Sequence, residues 1–260
     1  MFGYLVLTYL FTWSIGITLL AARRGWIELG VPEGWEAVSA FGPLLAALFV
    51  IRQTEGRAGV WSLLRSMWRW RVAPFWLAFS VASPVVLLAG ALLIVRATGG
   101  AWPDPGKLVS GPLATSAGVM QLLVVTGLAQ GLGEEPGWRG FLLPRLRARF
   151  SPLAATLLLF PPWLLWHLPA FLGRPEFGLA QWLGFSAGIL AAAVWLTLIW
   201  ERTQSVLLAI LWHMLINVAR GVAVAISMPV FFAISALVMA GALVIAVSWM
   251  FGGSRLARTL

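Results

Sequence analysis

Eight stretches of this 260-residue chain are too long and too apolar to be the surface of a water-soluble domain. They run near 4–22, 37–51, 74–97, 115–133, 153–172, 179–200, 204–225 and 229–252, and a helix needs roughly 20 apolar residues to cross a bilayer. The second stretch is short and the fourth continues past 133. In hydrocarbon every backbone N–H and C=O must find its partner within the structure, so runs of this length predict helices rather than open strands. The expected fold class is an all-α polytopic integral membrane protein of about eight transmembrane helices. It forms a single membrane domain over 1–260, with no separate soluble domain. Prolines mark several joins: Pro74, Pro103, Pro105, Pro152, Pro175 and Pro229. The first run has neither a basic leader nor a small-residue cleavage site before Arg23 and Arg24, which predicts a retained span.

Composition agrees: 60% of residues are hydrophobic and 10% charged, against about 25% charged in a soluble domain. The net charge of +9 does not point to nucleic acid, because the basic residues are scattered between apolar runs and form no long hydrophilic stripe. The bilayer, with its anionic headgroups, is the expected partner. Cysteine is absent, which excludes disulfides, thiolate catalysis, iron–sulfur clusters and cysteine-bound zinc. Arginine supplies all but one of the 18 basic residues, a usage typical of GC-rich bacterial genomes, so the expected location is a bacterial cytoplasmic (inner) membrane.

Eight spans put both termini on one side, and the positive-inside rule chooses that side. One set holds Arg52, Arg57, Arg65, Arg69, Arg71, Arg145, Arg147, Arg149, Arg202, Arg255 and Arg258. The other holds Arg23, Arg24, Arg96, Lys107, Arg174 and Arg220. The richer set is expected in the cytoplasm together with both termini. The segment 61–71, WSLLRSMWRWR, interleaves rings and guanidinium groups as an interfacial anchor helix does.

Ionisable side chains inside a span are costly and ask for a function or a partner. Glu134 and Glu135 lie in GLAQGLGEEPGWRGFLLPRL, His167 in LLLFPPWLLWHLPAFL and His213 in LLAILWHMLINVA. Neighbouring helical residues point about 100° apart, so the two glutamates have different roles. Glu135 and Arg139 are spaced i, i+4 with the acid first, the favourable order for an ion pair. That leaves Glu134 as the free carboxylate. His213 and Asn217 share a helix face at i, i+4, and His167 precedes Pro169 at a weakened point of its helix. A structural reading exists for each alone: a His–Asn pair that joins helices, or a packed core histidine. Both histidines of the chain nevertheless lie in spans, at depths that tilted helices can bring together. A carboxylate shielded from water beside an imidazole can take a proton from a bound water, and donors such as His213 and Asn217 can face a tetrahedral oxyanion.

The string EEPGWRG at 134–140 fits EExxxR, His167 follows with Trp163 four residues before it, and His213 with Asn217 completes HxxxN. In this the chain resembles the CPBP family of intramembrane proteases, which includes the type II CAAX prenyl endopeptidases and bacterial relatives linked to bacteriocin processing and immunity. The resemblance covers about 115–225. It implies a CAAX-protease-like membrane fold of eight helices and hydrolysis of a peptide bond in a cavity open towards the cytoplasmic leaflet. Water activation would fall to Glu134 and His167, with His213 and Asn217 on the oxyanion side. The family often has Phe where Trp163 stands, with Phe160 three positions earlier here, so Trp163 and Phe160 are candidates for the substrate pocket. The expected substrate is a membrane-associated peptide or protein, prenylated or not.

Two alternatives carry their own chemistry. Glu134, His167 and His213 could ligate a divalent metal such as zinc, with water in the fourth position, although HExxH is absent and the resemblance implies that no metal is required; the label metalloprotease has been used in this family. Intramembrane Glu and His could instead relay protons in a transporter, although no repeat is visible, or the chain could be a non-enzymatic membrane scaffold or immunity protein.

Overall fold

The computed structural model describes residues 1–30, 35–102, 104, 112–174 and 177–251. The joins at Pro103, Pro105 and Pro175 and the basic residues Lys107, Arg255 and Arg258 lie outside the described residues.

Apolar runs become helices where the sequence predicts them. We number them α1 (Phe2–Arg23), α2 (Trp35–Ser39), α3 (Gly42–Thr54), α4 (Gly56–Met67) and α5 (Pro74–Ala97). A long composite helix, α6 (Ser116–Arg147), follows. After it come α7 (Pro152–Trp166), α8 (Leu168–Leu172), α9 (Leu179–Thr203), α10 (Val206–Ile226) and α11 (Met228–Phe251). Among the described residues no strand occurs, and seven helical stretches are long and apolar enough to cross a membrane, α2 and α3 together forming one of them. The run expected at 153–172 is not among them. It breaks at His167 into the 15-residue α7 and the short α8, because Pro169 has no N–H to continue the ladder and its ring crowds the carbonyl four residues back.

Local chemistry sets the starts. Pro74 and Pro152 open α5 and α7, where a missing N–H costs nothing. The Ser151 and Ser205 hydroxyls cap α7 and α10 by accepting from Ala154 N and Leu208 N, each at 3.2 Å. Gly56 adopts φ +69 between α3 and α4, a left-handed turn open to glycine.

α9 and α10 form the centre, while α5 and α11 show most of their surface outward. On α11 only Val230, Ile234, Val238 and Ala242 are buried, a single stripe at four-residue spacing; the other side carries Phe232, Leu243 and Val244, each more than 60% exposed, as a lipid-facing surface requires. α6 packs on α3 through Gly133 and Gly137, where a methyl group would run into the backbone of Ala40 and Pro43. The two acidic residues lie between these glycines, in a GxxxG pattern that lets helices approach closely. Around Pro136 the helix widens into a π turn at Trp138–Leu142, and a second π segment covers Gln121–Ala129.

Polar contacts define the two ends of the bundle. At one end Arg147 pairs with Glu201 (2.6 and 2.8 Å), Arg145 pairs with Glu55, and the Ser205 hydroxyl donates to the Arg69 carbonyl at 2.6 Å. The arginine-rich ends of α3, α4, α6 and α9 meet there, with the starts of α1 and α10. At the other end Arg24 donates to the Leu172 carbonyl at 2.7 Å. Trp61, Trp68 and Trp70 of the 61–71 segment are all more than half exposed, and Leu63 anchors α4 beside Gly140 of α6.

Candidate active site

α6 brings in Glu134 and Glu135, both buried, and directs them differently. One oxygen of Glu135, Oε1, accepts from Arg139 Nη1 at 3.0 Å and from His213 Nδ1 at 2.6 Å. The expected Glu135–Arg139 pair therefore forms, wholly buried, and it also holds an imidazole. Glu134 Oε2 accepts from the Trp163 indole N–H at 2.6 Å. The Arg139 guanidinium lies over the Trp163 ring, 4.1 Å from its centroid, so Trp163 stands between the cation and the second carboxylate. Its edge meets His213 at a centroid distance of 5.9 Å. Trp163 thus supports Glu134 directly as well as lining the cavity.

The break after α7 positions His167. Its Nδ1 lies 2.8 Å from the Trp163 carbonyl, which makes Nδ1 the donor and leaves the Nε2 lone pair for another partner. α1, which carries no motif, secures this break from behind. Tyr9 donates to the Pro162 carbonyl (2.9 Å), Trp13 to the Trp166 carbonyl (3.2 Å), and the Trp166 indole to the Thr12 hydroxyl (2.7 Å). Carbonyls freed by prolines and by the end of a helix need partners where no water reaches, and α1 supplies them.

Glu134, His167, His213 and Asn217 all line one cavity of about 240 Å³ between α6, α7, α9 and α10. Asn217 differs from expectation. Its Nδ2 donates to the Thr126 carbonyl (3.2 Å) and to Gln130 Oε1 (2.7 Å), so both amide protons are committed. The donor left facing the cavity is the amide of Gln130, which lines it too. The sequence reading missed Gln130, although it stands four residues before Glu134 on the same helix face. Phe160 is half-buried against the core and does not line the cavity, so it is no part of a pocket there. Arg220, counted in the sequence as a charge of the opposite face, instead lies within α10 and lines the cavity.

Glu134, His167 and His213 share the cavity but do not close into a metal-binding group: among the described residues no three His, Asp or Glu side chains are placed to hold an ion. One oxygen of Glu134 and Nδ1 of His213 already have protein partners.

Of the exposed members of the lining, Ala170, Arg174 and Gly184 lie at the end of the bundle opposite the Arg145–Glu55 and Arg147–Glu201 pairs, and Met239 lies midway along α11.

Residues 116–219 match the family model described as type II CAAX prenyl endopeptidase Rce1-like. CAAX prenyl protease 2 of Methanococcus maripaludis is 28% identical over 146 residues, which cover 52% of this chain and 51% of that protein. The chain spans about half the length of the curated relative it matches.

Proposed function

From a chain whose residues 116–219 match the model of the type II CAAX prenyl endopeptidase Rce1-like family, we propose an intramembrane endopeptidase that hydrolyses a peptide bond of a membrane-associated, CAAX-type peptide or protein. The observation that carries this reading is the convergence of Glu134, His167 and His213 from three helices on one cavity inside the bundle.

In the proposed step a water sits between the free oxygen of Glu134 and Nε2 of His167. Glu134 takes a proton as the water oxygen bonds to the scissile carbonyl carbon. The oxyanion forms beside His213 Nε2 and the Gln130 amide. Donation from both nitrogens of His213 requires the doubly protonated ring, and the Glu135 carboxylate balances its charge. Collapse breaks the C–N bond, and the leaving amine takes the proton from Glu134. Asn217 orients Gln130, and Trp163 fixes the attacking geometry of Glu134; a misplacement of about 1 Å can lower a rate 100-fold. No metal takes part. The protein acts in a bacterial cytoplasmic membrane, with both termini on the cytoplasmic side.

The test is cleavage of quenched peptides, including a farnesylated CAAX peptide, by the purified protein in nanodiscs, with and without a chelator. Wild type is expected to cleave in both conditions, while Glu134→Gln loses at least 100-fold yet elutes as a folded species. Loss on chelation with recovery on added zinc overturns the metal-free step. No cleavage by folded wild type overturns the peptidase reading.

A further inference from the structure

Where the arginine-rich ends of the helices meet, α4 and the turn after it form one wall of an open cavity of about 1240 Å³, and the ends of α6 and α9 form another. Arg65, Arg69, Arg71 and Arg145 all line it, with Glu55 as the single acid of the lining. Arg145 is already held by Glu55 and lies over the Phe141 ring, 3.7 Å from its centroid. Among the described residues Arg65, Arg69 and Arg71 pair with no carboxylate, and Arg71 only lies over its neighbour Trp70, 5.1 Å from the ring centroid. The walls are fixed from within. Leu63 is buried beside Gly140, where a side chain on α6 would strike it, and the Ser205 hydroxyl holds the Arg69 carbonyl at 2.6 Å. The result is a built concavity with three unpaired cations, and it shares no lining residue with the cavity of Glu134 and the histidines.

The level of the cavity in the membrane decides which anion reaches it. Trp61, Trp68 and Trp70 belong to the same lining and are all exposed, and exposed indoles settle at the headgroup level of a bilayer rather than in open water. At that depth the abundant anion is a lipid phosphate. A planar guanidinium meets two phosphate oxygens with parallel hydrogen bonds, and basic pockets between the ends of membrane helices hold anionic headgroups. We propose that this cavity binds the headgroup of an anionic phospholipid, its phosphate held by Arg65, Arg69 and Arg71. Such a site goes beyond the anchoring expected of the segment 61–71, which acts on any anionic surface: it selects a lipid and seats it between two elements. Gly140, Pro144 and Arg145 of the lining belong to the helix that carries Glu134, so an occupied site braces α6 against α4. The inference stands whether or not the chain cleaves peptides.

The test uses the full chain, purified and delipidated in a mild detergent, with phosphatidylglycerol or phosphatidylcholine added at equal mole fraction. Native mass spectrometry is expected to show a single phosphatidylglycerol retained and no phosphatidylcholine, and the melting temperature to rise with phosphatidylglycerol alone. Arg65→Gln combined with Arg69→Gln should weaken phosphatidylglycerol binding at least about tenfold, since each basic residue near an anionic surface contributes on the order of a factor of five. Arg57→Gln removes a guanidinium from the same helix but outside the cavity lining, and should bind as wild type does. Equal weakening by Arg57→Gln would reveal a diffuse charged surface and overturns the site, as does equal retention of the two lipids by wild type. Inorganic phosphate, or a soluble glutamate-rich peptide, that raises the melting temperature as far as phosphatidylglycerol does overturns the lipid assignment.

Discussion

Glu134 and Glu135 are chemically identical and adjacent, and their surroundings separate them. Glu135 is enclosed by Arg139 and His213, while Glu134 keeps one oxygen for the cavity and one for Trp163. Substitution should separate them as well. Glu134→Gln removes a base without disturbing an ion pair and is expected to abolish cleavage with thermal stability changed little. Arg139→Met removes one of the two partners that hold the buried Glu135 carboxylate, and breaking a buried ion pair costs about 3–5 kcal/mol. It should appear as a large fall in melting temperature and in yield from the membrane, read by fluorescence-detected size exclusion. Trp163→Phe keeps the packing but removes the indole N–H, and hydrogen bonds to charged groups contribute about 1.5–3 kcal/mol. Its kcat should fall about tenfold or more, with the elution profile unchanged. Equal damage from all three substitutions would argue that the cluster is purely structural.

At the scale of elements, the site depends on two departures from regular helix. α7 stops at His167, and α6 carries a π turn just past the glutamates between paired glycines. Gly133 is in close approach to the Ala40 carbonyl, so Gly133→Val must push α3 and α6 apart and carry Glu134 away from Trp163. The expected result is loss of cleavage together with lower stability, whereas Gly184→Val, at an open position on α9, should leave stability within about 0.5 kcal/mol. Most helices were legible in the sequence because their apolar length exceeds anything water tolerates. The break at His167 was legible in part from Pro169. The support that α1 gives it was not, since Tyr9, Thr12 and Trp13 belong to no motif and owe their role to meeting two freed carbonyls and the Trp166 indole more than 150 residues away.

For the whole molecule the side on which the cavity opens is directly measurable, because the chain has no cysteine of its own. Gly184→Cys reports on the end where the cavity lining is exposed, and Ser62→Cys on the arginine-rich end. If the positive-inside rule holds, an impermeant maleimide labels Gly184→Cys on intact cells and Ser62→Cys only in inverted vesicles. The reverse pattern would turn the cavity to the cytoplasm and the arginines outward, overruling the rule for this chain. Labelling of both positions from one side would contradict the bundle itself. By itself the sequence determined the features that local chemistry dictates: helices from apolar length, an Arg139 in need of an acid four residues earlier, and a set of Glu, His and Asn residues too costly to be in a bilayer without purpose. Only the tertiary structure decided which of them face one another. It turned the amide protons of Asn217 to Thr126 and Gln130, set Trp163 against Glu134, and placed Arg220, counted among the charges of the opposite side, in the cavity lining. Those outcomes depend on how helices rotate and tilt against their neighbours, through contacts between residues far apart in the chain that no local periodicity encodes.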